Sequence, residues 1–104
     1  MTVTELKKVL DNDPEAILVD VREVAEFTEI RAKRAQLVPL SQFSVDHVRQ
    51  LAPDLSVPIY LICRSGARSM RAAQILEQAG YSNLVNIEGG TNAWAYNGFE
   101  VAHG

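Results

Sequence analysis

Ile59-Tyr60-Leu61-Ile62-Cys63-Arg64-Ser65-Gly66-Ala67-Arg68-Ser69 is the stretch that decides how this chain folds. Its first four residues form a continuous apolar run with β-branched ends, the pattern of a strand buried on both faces. The run stops at Cys63. Beyond it Ala72, Ile75, Leu76 and Ala79 recur at helical spacing, Gly80 supplies a left-handed stop, and Tyr81 is placed to pack back on the last turn. The stretch reads as strand, tight loop and helix, and it carries the only cysteine of the chain to the carboxyl end of the strand.

The same alternation extends outward. Thr2 followed by Glu5 forms a capping box ahead of the apolar stripe Leu6, Val9 and Leu10, and this helix ends between Asp11 and Pro14. Ile17 to Val21 is a buried strand with Asp20 and Arg22 at its exit, and a helix starting at Arg22 or Glu23 is expected to bury Val24 and Phe27. Ala35 to Leu40 is a weaker strand whose Pro39 suits a sheet edge. Ser41 or Ser44 caps a helix carrying Val45, Val48 and Leu51. Leu84 to Ile87 is a further strand, and Gly89-Gly90 turns into a last helix through Trp94 to about Asn97. Strands alternating with helices, without internal repeats, imply an α/β fold with a parallel sheet covered on both faces. In such sheets ligands bind beyond the carboxyl ends of the strands, where Cys63 lies.

Composition narrows the function classes. At 104 residues, 47% apolar and 22% charged, the chain is expected to form one domain over residues 1–104. No apolar run approaches the roughly 20 residues of a membrane span, and Met1 to Leu6 lacks the layout of a signal peptide. A soluble cytoplasmic protein is the expectation. One cysteine excludes an internal disulfide, and His47 and His103 lie too far apart for a zinc spacing, so neither metal nor cofactor is expected. His47 reads as a surface residue and His103 as part of a disordered tail. A net charge of −3 without an aromatic platform argues against nucleic acid.

A buried free cysteine often serves only as a small apolar core residue. Its company argues otherwise. Arg64, Arg68 and Arg71 crowd the segment, with no acid between Cys63 and Glu77, although the chain as a whole is acidic. Helix-start N–H groups, the positive end of the helix dipole and nearby guanidinium groups all favour a thiolate. Gly66 lets the loop fold back so that successive N–H groups converge on an anion. The pattern points to a nucleophilic, anion-binding thiol.

With these residues the chain resembles a single-domain rhodanese of the sulfurtransferase family. The resemblance is carried by Leu18-Val19-Asp20-Val21-Arg22-Glu23 with Glu26-Phe27, by Val38-Pro39-Leu40, by the Cys63 to Ser69 loop, and by Gly80-Tyr81 leading to Glu88-Gly89-Gly90 and Trp94. It implies a five-stranded, largely parallel sheet flanked by helices on both faces. It also implies a Cys63 persulfide, formed from thiosulfate or a similar small anionic donor and passed to a thiol, cyanide or protein acceptor. In that scheme the loop from Arg64 through Ser65, Gly66 and Ala67 to Arg68 binds the donor and stabilises the sulfur, with Arg64 and Arg68 attracting the dianion. Asp20, Arg22 and Glu26 are expected to pair with one another and brace the site, and Trp94 to pack in the core.

The chain departs from the family after Phe27, where Ile30-Arg31-Ala32-Lys33-Arg34-Ala35 replaces a Gly-His pair and a further Gly. This predicts a longer second helix and a stiffer, basic loop, either a partner surface or a solvated face. Two other functions compete. A phosphatase or arsenate reductase on a related fold would place its arginine six residues after the cysteine, whereas here Arg68 lies fifth and Ser69 sixth. A non-catalytic sulfur-carrier or docking module would share the fold, although the intact Cys63 argues against a dead domain.

Overall fold

The computed structural model describes residues 1–104. Helix α1 (Val3–Asn12) starts as its sequence dictates, with Thr2 Oγ1 accepting the Glu5 N–H at 3.2 Å and Glu5 accepting the Thr2 N–H at 2.9 Å. Next come β1 (Ile17–Asp20), α2 (Val24–Glu29), β2 (Arg31–Ala32) and β3 (Gln36–Leu37), then a 3₁₀ turn at Leu40–Gln42. Ser44 caps α3 (Val45–Leu51). The chain continues through β4 (Ile59–Ile62), α4 (Ala67–Gln78), β5 (Leu84–Asn86), α5 (Gly90–Tyr96) and β6 (Val101–Ala102). No helix is long and apolar enough to cross a membrane.

The main sheet is parallel throughout, in the order β3-β1-β4-β5. Period-two alternation sorts its residues between two cores. Val19, Ile59, Leu61 and Cys63 face α3 and α4 with Val48, Ala72 and Leu76, while Leu18, Tyr60 and Ile62 face α1 and α5 with Leu6, Leu10 and Trp94. Cys63 thus continues the alternation of β4 on the α4 side. From β1 the chain steps to β3 on one side and then returns to β4 on the other, so the order reverses between β1 and β4. Their carboxyl ends, at Asp20 and Ile62, flank the crevice where parallel sheets bind ligands.

The α/β fold with a parallel sheet covered on both faces is observed, with four strands in that sheet rather than five. The four are those read from the residues, while β2 and β6 pair antiparallel as a separate ribbon. That ribbon overturns two expectations. Helix α2 does not lengthen: it stops at Glu29 because Ile30 is extended (φ −159°) and leads directly into β2. The tail is ordered, since β6 pairs with β2, the His103 ring lies 2.8 Å from the Glu29 carbonyl, and Gly104 N–H donates to Thr28.

The basic segment is tied down internally. Arg31 lies over the Phe27 ring and donates to the Phe27 and Gly104 carbonyls, Lys33 pairs with Glu100, and Arg34 donates to the carbonyls of Leu10, Pro14 and Ala16. Val24, expected in the core, is 60% exposed, because a six-residue helix turns only its Phe27 side to the sheet.

Candidate active site

Four residues, Cys63 to Gly66, join β4 to α4. Gly66 caps the helix at φ +118°, a conformation that L side chains rarely adopt, and its N–H donates to Cys63 Sγ at 3.0 Å. Ser69, buried in the first turn of α4, brings its hydroxyl to 3.5 Å from the same sulfur and donates to the Gly66 carbonyl at 3.0 Å. The Ser69 hydroxyl also meets the side-chain amide of Asn86 on β5. Cys63 is 1% exposed, and burial alone would push its thiol up. The hydrogen bonds from Ser69, and from the backbone at Ser69, Gly66 and Ser65, outweigh burial and hold the thiol below its ordinary value.

Helix α5 orients the loop from behind. The N–H groups of Thr91 and Asn92 take the carbonyls of Cys63 and Arg64 at 2.8 and 3.2 Å. Because each peptide is planar and trans, fixing these carbonyls toward α5 turns the N–H groups of Arg64 and Ser65 to the opposite side. The close approach depends on Gly90, where a Cβ would stand 2.6 Å from the Arg64 carbonyl oxygen and nearer still to that of Cys63.

The arginines divide. Arg64 is exposed and makes no ion pair. Arg68, expected at the donor, is held by Glu26 of α2 through two parallel hydrogen bonds of 2.7 Å. This pair holds the Glu26 carboxyl at about 2 and raises the Arg68 guanidinium further. Asp20 and Arg22 do pair with each other, fully buried, and Arg22 reaches the Ile30 carbonyl at 2.6 Å, tying the end of β1 to the start of β2. Glu26 does not join them. Trp94 is core, stacked edge-on to Phe99 with its indole N–H on the Glu100 carbonyl.

A cavity of about 320 Å³ opens beside the loop, bounded by Arg22, Glu26, Arg64, Thr91 and Asn92. A slightly larger one, about 370 Å³, lies by Asp13, Pro53 and Asp54 near the amino ends of β1 and β4, with no nucleophile in its wall. No cluster of His, Cys, Asp or Glu side chains is arranged to hold a metal ion. Of the residues that shape the sulfur's surroundings, Asn86 lies in none of the motifs, while Ser69 and Gly90 lie in motifs that do not show their roles, Ser69 reading as the sixth loop position and Gly90 as a turn residue. A hint for Asn86 was available, since it interrupts the otherwise apolar run Leu84 to Ile87.

A thiol cradled by backbone N–H groups at the reversal point of a parallel α/β sheet defines a class of cysteine-loop domain. The rhodanese-like domain family matches residues 2–97, and the chain belongs to it. It is 34% identical over 96 residues to a sulfurtransferase of Allochromatium vinosum, covering 92% of this chain and 87% of that protein. Identity is also 34% to the probable adenylyltransferase/sulfurtransferase MoeZ of Mycobacterium tuberculosis, but there the match spans 91% of this chain and only 24% of the longer protein. The crystal structure of a thiosulfate sulfurtransferase from Pseudomonas aeruginosa superposes with a TM-score of 0.88 at 28% identity, covering all of this chain and 20% of that one.

Proposed function

We propose that this chain is a sulfurtransferase that carries sulfane sulfur on Cys63, taking it from thiosulfate or a similar small anionic donor and passing it to a thiol, cyanide or protein acceptor. The observation that carries the reading is the hydrogen-bonded sulfur: Gly66 N–H at 3.0 Å and Ser69 Oγ at 3.5 Å from Cys63 Sγ, at the carboxyl end of β4. The Cys63 thiolate attacks the outer sulfur of thiosulfate, the S–S bond breaks, and its electron pair leaves with sulfite. The resulting persulfide anion lies among the loop N–H groups, which are fixed before the charge arrives. Cyanide or a thiolate then attacks the outer sulfur, and the pair from the second S–S bond returns to Cys63 as thiolate, a two-step covalent cycle. Arg64 draws the dianion to the loop, and Arg68, neutralised by Glu26, holds the loop to α2. A single thiol suits a reducing cytoplasm, where it stays free.

Ser69 supports sulfur over phosphate. The sixth position after the cysteine, where a phosphatase needs its arginine, here turns a buried hydroxyl onto the sulfur. Intact mass after incubation with thiosulfate tests the reading. The expected result is a gain of one sulfur that cyanide removes, absent in Cys63→Ser. Hydrolysis of a phosphate ester with no sulfur gain would overturn it.

A further inference from the structure

The Ser69 hydroxyl stands among more acceptors than it has hydrogens. Its Oγ is within hydrogen-bond range of the Gly66 carbonyl, Cys63 Sγ and the side-chain amide of Asn86. A hydroxyl gives one hydrogen and receives at two lone pairs. The carbonyl can only accept, and so can a thiolate. The amide can do either, because a half-turn exchanges Oδ1 for Nδ2. With Oδ1 toward Ser69, as in this structure, the amide competes for the hydroxyl hydrogen, which suits a neutral thiol whose S–H points at the hydroxyl oxygen. With Nδ2 toward Ser69 the amide donates, and only the Gly66 carbonyl is left to compete with the sulfur for the hydroxyl hydrogen.

The position of Asn86 strengthens the point. Asn86 pairs in register with Leu61, which faces α4, so the two side chains share that face. It is a polar residue on an apolar face, and its only side-chain hydrogen bond is the one to Ser69.

We propose that Asn86 is a positioning residue for the Cys63 thiolate: its amide turns to donate to Ser69 Oγ, and this directs the Ser69 hydroxyl hydrogen onto the sulfur when the thiol ionises. The thiol proton goes to solvent and no other covalent bond changes. The role rests on Cys63 being the sulfur-carrying residue. Charged groups near the loop are the Asp20–Arg22 pair, Glu26, Arg64 and Arg68, with the Met1 ammonium on the Asn86 backbone carbonyl. None of them hydrogen-bonds to the Ser69 or Asn86 side chain, so the relay is separable from their field.

The test reads thiol ionisation from the rate of iodoacetamide alkylation against pH, with no sulfur donor present, so it stands whether or not Cys63 transfers sulfur. Ser69→Ala should raise the midpoint by about one pH unit, the effect of losing one hydrogen bond to a charged group. Asn86→Leu should raise it in the wild-type background and leave it unmoved in Ser69→Ala, which a merely structural role would not produce. In the unmodified protein, the Asn86 side-chain ¹⁵NH₂ resonances should shift with the same midpoint, and this readout decides the matter if Asn86→Leu does not fold. An equal effect of Asn86→Leu with and without Ser69, no effect in either background, or resonances that stay flat through the midpoint would each overturn the proposal.

Discussion

Glu26→Gln separates what the Glu26–Arg68 pair does for stability from what it does to the donor. The Glu26 carboxyl is held at about 2 rather than 4.5, chiefly by its hydrogen bonds to Arg68. At about 1.36 kcal/mol per pH unit this sets a ceiling of about 3.4 kcal/mol on the pair's contribution. The side chains are 29% and 35% exposed, so solvent screening reduces the contribution to about 1–2 kcal/mol. A carboxylate with a depressed value stabilises the fold fully above 4.5 and ceases to do so as pH falls through about 2. Glu26→Gln should therefore lower stability by about 1–2 kcal/mol at pH 7, and the gap to the parent should shrink progressively below pH 4.5. Urea unfolding at steps from pH 7 to pH 3 measures it. The variant also leaves Arg68 uncompensated beside the loop, and relief of carboxylate repulsion toward a dianion should lower the KM for thiosulfate about threefold to fivefold, an effect that added salt erases. A stability gap that is the same at pH 7 and pH 3, or an unchanged KM, would refute the assignment of Arg68 as a clamped residue.

Arg64→Ala should raise the KM for thiosulfate and weaken its salt dependence while changing stability by less than about 0.5 kcal/mol, since the side chain is exposed and unpaired. Gly90→Ala should cost about 3 kcal/mol or more, combining a positive φ of 56° with a Cβ driven into the Cys63–Arg64 backbone. Gly66→Ala, where the nearest atoms are 3.8 Å away, should cost only about 1–2 kcal/mol, and thermal unfolding of the two variants checks the ranking. Arg34→Ala should destabilise by about 1–2 kcal/mol through three lost carbonyl contacts and leave turnover unchanged with a protein acceptor as well as with cyanide. Slower turnover with the protein acceptor alone, at unchanged stability, would instead return the basic segment to the acceptor.

The elements legible in the sequence are those whose causes are local. Thr2 and Glu5 satisfy each other within one turn, Gly80 stops α4 by its own backbone freedom, and Ile59 to Ile62 is apolar on both faces because helices cover both. The β2–β6 ribbon is different. Its strands, Arg31–Ala32 and Val101–Ala102, are too short to carry periodicity, and their pairing comes from a contact between Ala32 and Val101 that neither segment announces. The same non-locality hides why the basic segment is basic. Arg34 looks like a solvated charge until α1 ends beside it and presents the Leu10 carbonyl, one of the orphan acceptors left at every helix end.

The site divides along the same line, and the division shows how its chemistry is built. Cys63, Gly66 and the loop N–H groups are contiguous, so seven residues suffice to place a thiol in a cradle of donors. What tunes that thiol comes from other strands and helices. Asn86 reaches the Ser69 hydroxyl across the β4–β5 register, Gly90 admits α5 to the back of the loop, and Glu26 pairs with Arg68. Charge counting along the sequence makes Arg64 and Arg68 equivalent, whereas the fold leaves Arg64 exposed and unpaired and ties Arg68 to Glu26. The loop therefore specifies that an anionic sulfur can form, while the surrounding elements set how readily it forms.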